Sequence, residues 1–354
     1  MSLLECRNLD VRYDDGAIHA VEDVSLEVER GERLGLLGES GCGKTTLGDA
    51  ITGLLGGDGK ITGGEILFDG ETLTDLSESE LRAIRWAEIA TIPQESMSGL
   101  NPSYRVGEQI EEALLHHEAI SPTAARERTA ALLRRVDLDP EVADAYPHTL
   151  SGGMSQRAMI AMALACKPAL VIADEPTAAL DVLVQQKILS ELSLLSSEFG
   201  TAVLLISHDV GVVAELCDRV AVMYGGTLME VGDTERVLET PANPYTMGLR
   251  NAVPSVADPD ADLVSIPGTA PTLRAPASGC RFRERCPFAT EDCATAHPPL
   301  EALPSEPHSD EATADGTEEV AETTALHRSA CHYPVPRAEM RTAARAEETW
   351  SDSA

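Results

Sequence analysis

The clearest chemistry sits near the front of the chain. Gly38-Glu39-Ser40-Gly41-Cys42-Gly43-Lys44-Thr45 has the spacing G-x-x-x-x-G-K-[ST], in which a glycine-rich loop turns successive backbone N–H groups onto phosphate oxygens. The apolar run Leu34-Gly35-Leu36-Leu37 before it reads as a buried strand, and Thr46 opens a plausible helix after it. That helix would add the positive end of its dipole to the same anion site. Lys44 is expected to reach the outer phosphates of a nucleoside triphosphate, and the Thr45 hydroxyl to ligate Mg²⁺.

A second chemical group lies farther along. Ala169-Leu170-Val171-Ile172-Ala173 is a continuous apolar run that ends in Asp174 and Glu175. A strand end of an open α/β sheet would put both carboxylates beside the phosphate loop. Asp174 is then expected to hold Mg²⁺ through its water shell, and Glu175 to polarise the water that attacks the γ-phosphate. Gln94 follows the short run ending Thr91-Ile92-Pro93, where its amide would touch Mg²⁺ or the attacking water. His208 follows Ala202-Val203-Leu204-Leu205-Ile206-Ser207, where a neutral imidazole would bond the γ-phosphate and orient the water of Glu175. Tyr13 is a candidate to stack on adenine.

These residues need elements to hold them. Residues 3–13, His19 to Glu29 and Gly64 to Glu71 alternate as half-buried strands do, which predicts an antiparallel layer beside the phosphate loop. The runs 169–173 and 202–206 suit parallel strands buried on both faces. Residues 105–145 are rich in Ala, Leu, Glu and Arg with helical periodicity, so a helical subdomain is expected at about 95–165. Arg219 to Val231 reads as a closing hairpin around Gly225-Gly226. The predicted organisation is an α/β domain over 1–240, a small extension over 241–337 and a tail over 338–354. Within the extension, the Ser-, Thr-, Pro- and acid-rich residues 301–325 read as a disordered insert.

Composition restricts the setting. No stretch reaches the ~20 apolar residues of a membrane span, and the N-terminus lacks the pattern of a signal peptide, so a cytoplasmic location is expected. Acidic residues number 59 against 27 basic ones, for a net charge of -32. A surface of that sign repels nucleic acid and anionic lipid. Lys44, Lys60, Lys167 and Lys187 are the only lysines, and the acidity runs along the whole chain. That pattern points to a host with a salty cytoplasm, where salt screens the self-repulsion. The expected result is that solubility and ATPase activity rise with KCl. Full activity in dilute buffer with no gain in molar salt contradicts it.

Taken together, these motifs resemble the ATP-binding subunit of an ABC transporter. Leu150-Ser151-Gly152-Gly153-Met154-Ser155-Gln156-Arg157 is similar to the family's signature run, with Met154 and Ser155 as variants, and Ala178 to Asp181 resembles its D-loop. The resemblance covers about residues 3–235. It implies a P-loop ABC ATPase core with a mixed sheet, an antiparallel β subdomain and a helical subdomain. It also implies a head-to-tail dimer in which each ATP lies between one phosphate loop, residues 38–46, and the signature residues Ser151, Gly152, Gly153 and Gln156 of the other subunit. A serine and two glycines at a helix start agree with that role, since they make a second anion-binding terminus.

The tail narrows the branch. Pro241-Ala242-Asn243-Pro244-Tyr245-Thr246, then Ala252 to Pro254, then Ile266-Pro267-Gly268, resemble the C-terminal extension of oligopeptide and dipeptide importer ATPases, seen also in nickel importers. Ser98 to Pro102 fits the same branch, and Asn243 stands where the family usually has His. Cys280, Cys286 and Cys293 form C-x₅-C-x₆-C, with Cys331 after the acidic insert. In a reducing cytoplasm such a cluster points to metal rather than disulfide. Four thiolates suit Zn²⁺ or an iron–sulfur cluster, and the spacing leaves both open; the resemblance to the importer branch favours [4Fe–4S]. Cys42 lies in the phosphate loop, where alkylation is expected to block ATP.

The reading is therefore an ATPase that powers a binding-protein-dependent importer of peptides, with nickel or another small solute as the alternative cargo. The resemblance implies a separate membrane permease gripped near Gln94 to Pro102, a second ATPase subunit and, indirectly, an extracellular solute-binding protein. A soluble ABC ATPase acting on nucleic acid or ribosomes is the competing class. One cassette, no long heptad run and the charge of -32 weigh against it.

Overall fold

The structure, a computed structural model, describes residues 2–94, 99–177, 182–253, 263–274, 278–304, 327–333 and 335–351. Two sheets carry the site. β1 (Ser2–Tyr13), β2 (Ile18–Glu29), β4 (Lys60–Phe68) and β5 (Glu71–Thr72) form an antiparallel sheet in the order β2-β1-β4-β5. This is the antiparallel layer that alternation predicted. Asp69 and Gly70 turn β4 into β5, both at positive φ, as a tight hairpin with native strand twist requires.

The second sheet contains β3 (Arg33–Leu37), β6 (Ile89–Ile92), β7 (Leu170–Asp174), β8 (Ala202–Ser207), β9 (Arg219–Tyr224) and β10 (Thr227–Asp233). With the short β11 (Glu301–Ala302) and β12 (Arg328–Ser329), its order is β11-β12-β10-β9-β3-β8-β7-β6. β3 pairs in parallel with both β8 and β9, and β7 in parallel with both β6 and β8. The phosphate-loop strand is therefore interior, which explains why β3, β7 and β8 read as unbroken apolar runs. β9 and β10 close as an antiparallel hairpin through Gly225 and Gly226, both at positive φ.

The helices Val106–His117, Pro122–Arg135 and Gly152–Ala163 make the expected helical region. Ser121 caps the second by accepting the Ala124 N–H, and Pro122 fills its first turn, where a missing N–H costs nothing.

The tail is more firmly built in than its composition suggested. Val264, Phe282, Met340, Ala344 and Trp350 are buried in the same apolar cluster as Tyr224 and Tyr245. Tyr224, Tyr245 and Phe282 pack ring on ring at centroid separations of 4.6 to 5.2 Å. Asn243 caps the helix Pro244–Asn251 by accepting the Tyr245 N–H, and its amide donates to the carbonyls of Met229 and Ala330. The start of the acidic stretch departs from the disorder expected of it. Glu301 and Ala302 pair with Ser329 and Arg328, and β12 pairs with β10, so edge pairing orders residues that composition alone marks as disordered. The remainder of that insert, 305–325, lies outside the described residues.

Candidate functional site

Backbone proximity explains the glycines of the phosphate loop. A Cβ on Gly38 would meet the Met223 carbonyl oxygen at 2.2 Å, and one on Gly43 the Ala20 carbonyl oxygen at 2.2 Å. Gly43 also sits at φ 107°, where it caps the helix Lys44–Thr52, a conformation that side chains disfavour. The Lys44 ammonium donates to the carbonyls of Gly38 (2.7 Å) and Glu39 (3.0 Å). Gly41, Ser40 and Thr45 are exposed and Thr46 half-buried, so the open side of the loop is the one the helix N-terminus faces. Cys42 corrects the alkylation expectation. It is 2% exposed, and burial pushes its thiol up despite nearby Lys44, both of which disfavour alkylation there.

Thr45 and Asp174 meet across the loop. Burial, and then Glu175, raise the Asp174 carboxylate, while nearby Thr45 and Lys44 draw it down. One Asp174 oxygen, Oδ1, is buried with no hydrogen-bond partner among the described residues. Asp49 of the same helix is pushed up to about 6, first by burial and then by Asp174. Closely spaced, partly desolvated carboxylates with an orphaned oxygen fit a divalent cation, which would supply the missing positive charge.

Glu175 is the centre of the catalytic candidates. Its Oε1 lies 2.7 Å from His208 Nδ1, and its Oε2 accepts from Gln94 Nε2 at 3.4 Å. Three residues far apart in sequence therefore converge, each from a strand end: Gln94 after β6, Glu175 after β7 and His208 after β8. Glu175 stands at φ 45°, a sparsely populated conformation for a residue with a side chain. Its N–H bonds the Ile206 carbonyl at 2.9 Å, which ties the end of β7 to β8. Beyond His208, Asp209 caps the helix Val210–Leu216 by accepting the N–H groups of Gly211 and Val212, and this fixes the turn that carries the imidazole.

The signature run is elsewhere. Ser151 caps the helix Gly152–Ala163, accepting the Met154 N–H, and Ser151 and Gly152 are exposed. Arg157 and Lys187 both pair with Asp137, which anchors this helix start to neighbouring helices rather than to the phosphate loop. Gln156 is buried and its Nε2 has no partner among the described residues, so here its side chain faces the core. Tyr13 packs its ring against Gly59 at the end of β1. Asp181 and Ser98 lie outside the described residues.

Sequence reasoning missed two residues that reach the loop from the tail. The Tyr245 hydroxyl accepts the Glu39 N–H at 2.9 Å, and Arg285 donates to both Glu39 carboxylate oxygens at 2.7 and 3.0 Å. No local signal links positions so far apart.

The four tail cysteines line one small cavity with Met229, Phe282 and Phe288. Burial pushes Cys331 up to about 12 and raises Cys280 and Cys286, and the thiols raise one another. Among the described residues no three metal-binding side chains stand close enough to grip an ion as they are, so the expected ligand set shares a cavity without being assembled.

A phosphate loop, a strand-end Asp-Glu pair and a strand-end Gln and His on a mixed sheet define an ATP-binding cassette. Residues 21–178 match the ABC transporter family, and residues 229–293 match the oligopeptide/dipeptide transporter C-terminal region. The oligopeptide transport ATP-binding protein OppD of Salmonella typhimurium is 47% identical over 306 residues, 85% of this chain and 90% of the relative. The dipeptide transport ATP-binding protein DppD of Escherichia coli is 40% identical over 339 residues, 95% and 98% of the two chains. Among solved structures, the dimeric bacterial ABC transporter cassette MJ0796 superimposes with a TM-score of 0.60 at 31% identity, over 65% of this chain and 98% of that one. The chain belongs to the ATP-binding subunits of ABC transporters, in the oligopeptide/dipeptide branch. No helix among the described residues is long and apolar enough to cross a membrane.

Proposed function

We propose that this chain hydrolyses ATP to power a binding-protein-dependent importer of di- or oligopeptides, as a peripheral subunit on the cytoplasmic face of the membrane. The observation that carries the cargo class is the C-terminal match over residues 229–293, which includes the residues that reach the phosphate loop. The phosphate-loop N–H groups and Lys44 bind the triphosphate. Thr45 and Asp174 would hold Mg²⁺, which supplies charge neutralisation at the phosphates. Glu175 takes up the proton side of the attacking water, His208 orients Glu175 through the 2.7 Å contact, and Gln94 closes the other side. Ser151, Gly152 and Gly153 complete the second subunit's site, a reading supported by the dimeric cassettes this chain resembles.

The test is affinity purification from detergent-solubilised membranes. Membrane permease subunits with a related ATPase are the expected companions, and peptide uptake should fail when the gene is deleted. Ribosomal or nucleic-acid companions support the competing class.

The tail cysteines Cys280, Cys286, Cys293 and Cys331 are proposed to hold a metal as thiolates. Four protonated thiols in an apolar cavity gain nothing from ionising alone, but a bound metal reverses that balance. Protein purified without oxygen should contain iron and acid-labile sulfide and show visible absorption, all lost in Cys286→Ser. Zinc without sulfide supports the alternative metal, and a metal-free protein of unchanged stability removes the proposal.

A further inference from the structure

Glu39 is the second residue of the phosphate loop, and all three of its polar groups are engaged. Its N–H goes to the Tyr245 hydroxyl, its carbonyl takes the Lys44 ammonium, and its carboxylate takes the Arg285 fork. Two of the three partners come from the C-terminal extension. Tyr245 is wholly buried, and Arg285 is 8% exposed. Arg285 has no freedom left, because it also donates to the carbonyl of Pro267 (2.7 Å) and to the Tyr224 hydroxyl (3.2 Å).

The charge matters as much as the geometry. A bare carboxylate in a loop that must accept a triphosphate opposes binding, and a bidentate guanidinium cancels it while fixing its direction. The same arginine is also joined to the thiol cavity. It ends the short turn Arg283–Arg285, and Cys280 and Cys286, which line the cavity, bracket that turn. The N–H groups of Arg283, Arg285 and Cys286 bond the carbonyls of Cys280, Phe282 and Arg283. A rearrangement at the cysteines is thereby passed to Arg285 through one hydrogen-bonded turn.

We propose that Arg285 is a positioning residue of the ATP site: it neutralises and orients Glu39, and so links nucleotide binding to the cysteine-lined cavity. This rests on the nucleotide reading of the phosphate loop, so the experiment begins by separating the two. Binding of a fluorescent ATP analogue is measured on the full chain. If wild type does not bind, or Lys44→Ala binds equally well, the nucleotide reading itself fails.

With that established, Arg285→Ala is expected to raise Kd by ~10-fold or more, about 1.4 kcal/mol per tenfold. Glu39→Gln in the same chain should recover most of the loss, because it removes the charge that Arg285 neutralised. Arg285→Lys should recover only part, since lysine brings charge without the fork. A merely structural arginine would give a double variant as weak as Arg285→Ala, and that result overturns the proposal. So does wild-type affinity in Arg285→Ala.

The second readout is reciprocal. Reaction of Cys280, Cys286, Cys293 and Cys331 with an alkylating reagent is followed residue by residue by mass spectrometry. ATP should slow it about 5-fold in wild type, the low end of ordinary coupling between sites, and leave it unchanged in Arg285→Ala. Equal rates with and without ATP in wild type sever the link between the cavity and the loop.

Discussion

Glu175→Gln is expected to lower the ATPase rate by ~10²–10³-fold, about 3–4 kcal/mol of transition-state stabilisation, while ATP binding stays near wild type. The reason is the division of labour in the site. Binding, as proposed, rests on the loop N–H groups, Lys44, Thr45 and Asp174, all of which the substitution leaves in place. Glu175 instead faces Gln94 and His208 with its two oxygens, and it is the one carboxylate placed between those two groups. Glutamine has nearly the same shape but cannot take a proton. The variant should therefore bind, close and fail to reopen, and be recovered as an ATP-trapped dimer by size-exclusion chromatography. His208→Ala should lower turnover as well, through a Glu175 that has lost its orienting contact. Undiminished turnover in Glu175→Gln would move the base elsewhere.

Much of this site was legible because its parts carry local signatures. The strand-end position of Glu175 follows from the run 169–173, which is apolar on both faces because β7 lies inside a parallel sheet. His208 follows from the same logic one strand over. Gly225-Gly226 was legible as a hairpin because both residues need positive φ. The failures share a different cause. Alkylation of Cys42 was expected to block ATP because the residue stands in the phosphate loop, but its sulfur turns inward, close to where a Cβ of Gly38 would stand. Residues 301–302 were read as part of a disordered stretch because composition is blind to an available sheet edge. Arg285 was passed over because its partner Glu39 is 246 residues away, and a carboxylate in a phosphate loop gives no sign of what will neutralise it. The motif residues state their chemistry, and the pairings that make the chemistry tolerable are set by the fold.

The same distinction governs the signature run, whose chemistry no single subunit completes on the proposed dimer reading. Ser151 and Gly152 are exposed at the start of a twelve-residue helix, and the first N–H groups of a helix favour an anion. Arg157 of that helix and Lys187 of the helix Val182–Phe199 both pair with Asp137, so the helix start is held away from its own phosphate loop. Gly153→Asp places a carboxylate where the partner's ATP phosphates would dock. Like-charge juxtaposition across an interface costs several kcal/mol, so ATP-driven dimerisation in a Glu175→Gln background should weaken on the order of 100-fold. Binding of ATP to the isolated subunit should not change, because its own phosphate loop is untouched. The added Cβ would meet one methyl of Val184 at 3.0 Å, a contact a side chain can relieve. Gly153→Ala carries that contact without the charge and should dimerise close to normally. If Gly153→Asp instead loses ATP binding as a monomer while its melting temperature holds, the signature run serves its own subunit's nucleotide, and the shared-site reading of the dimer fails.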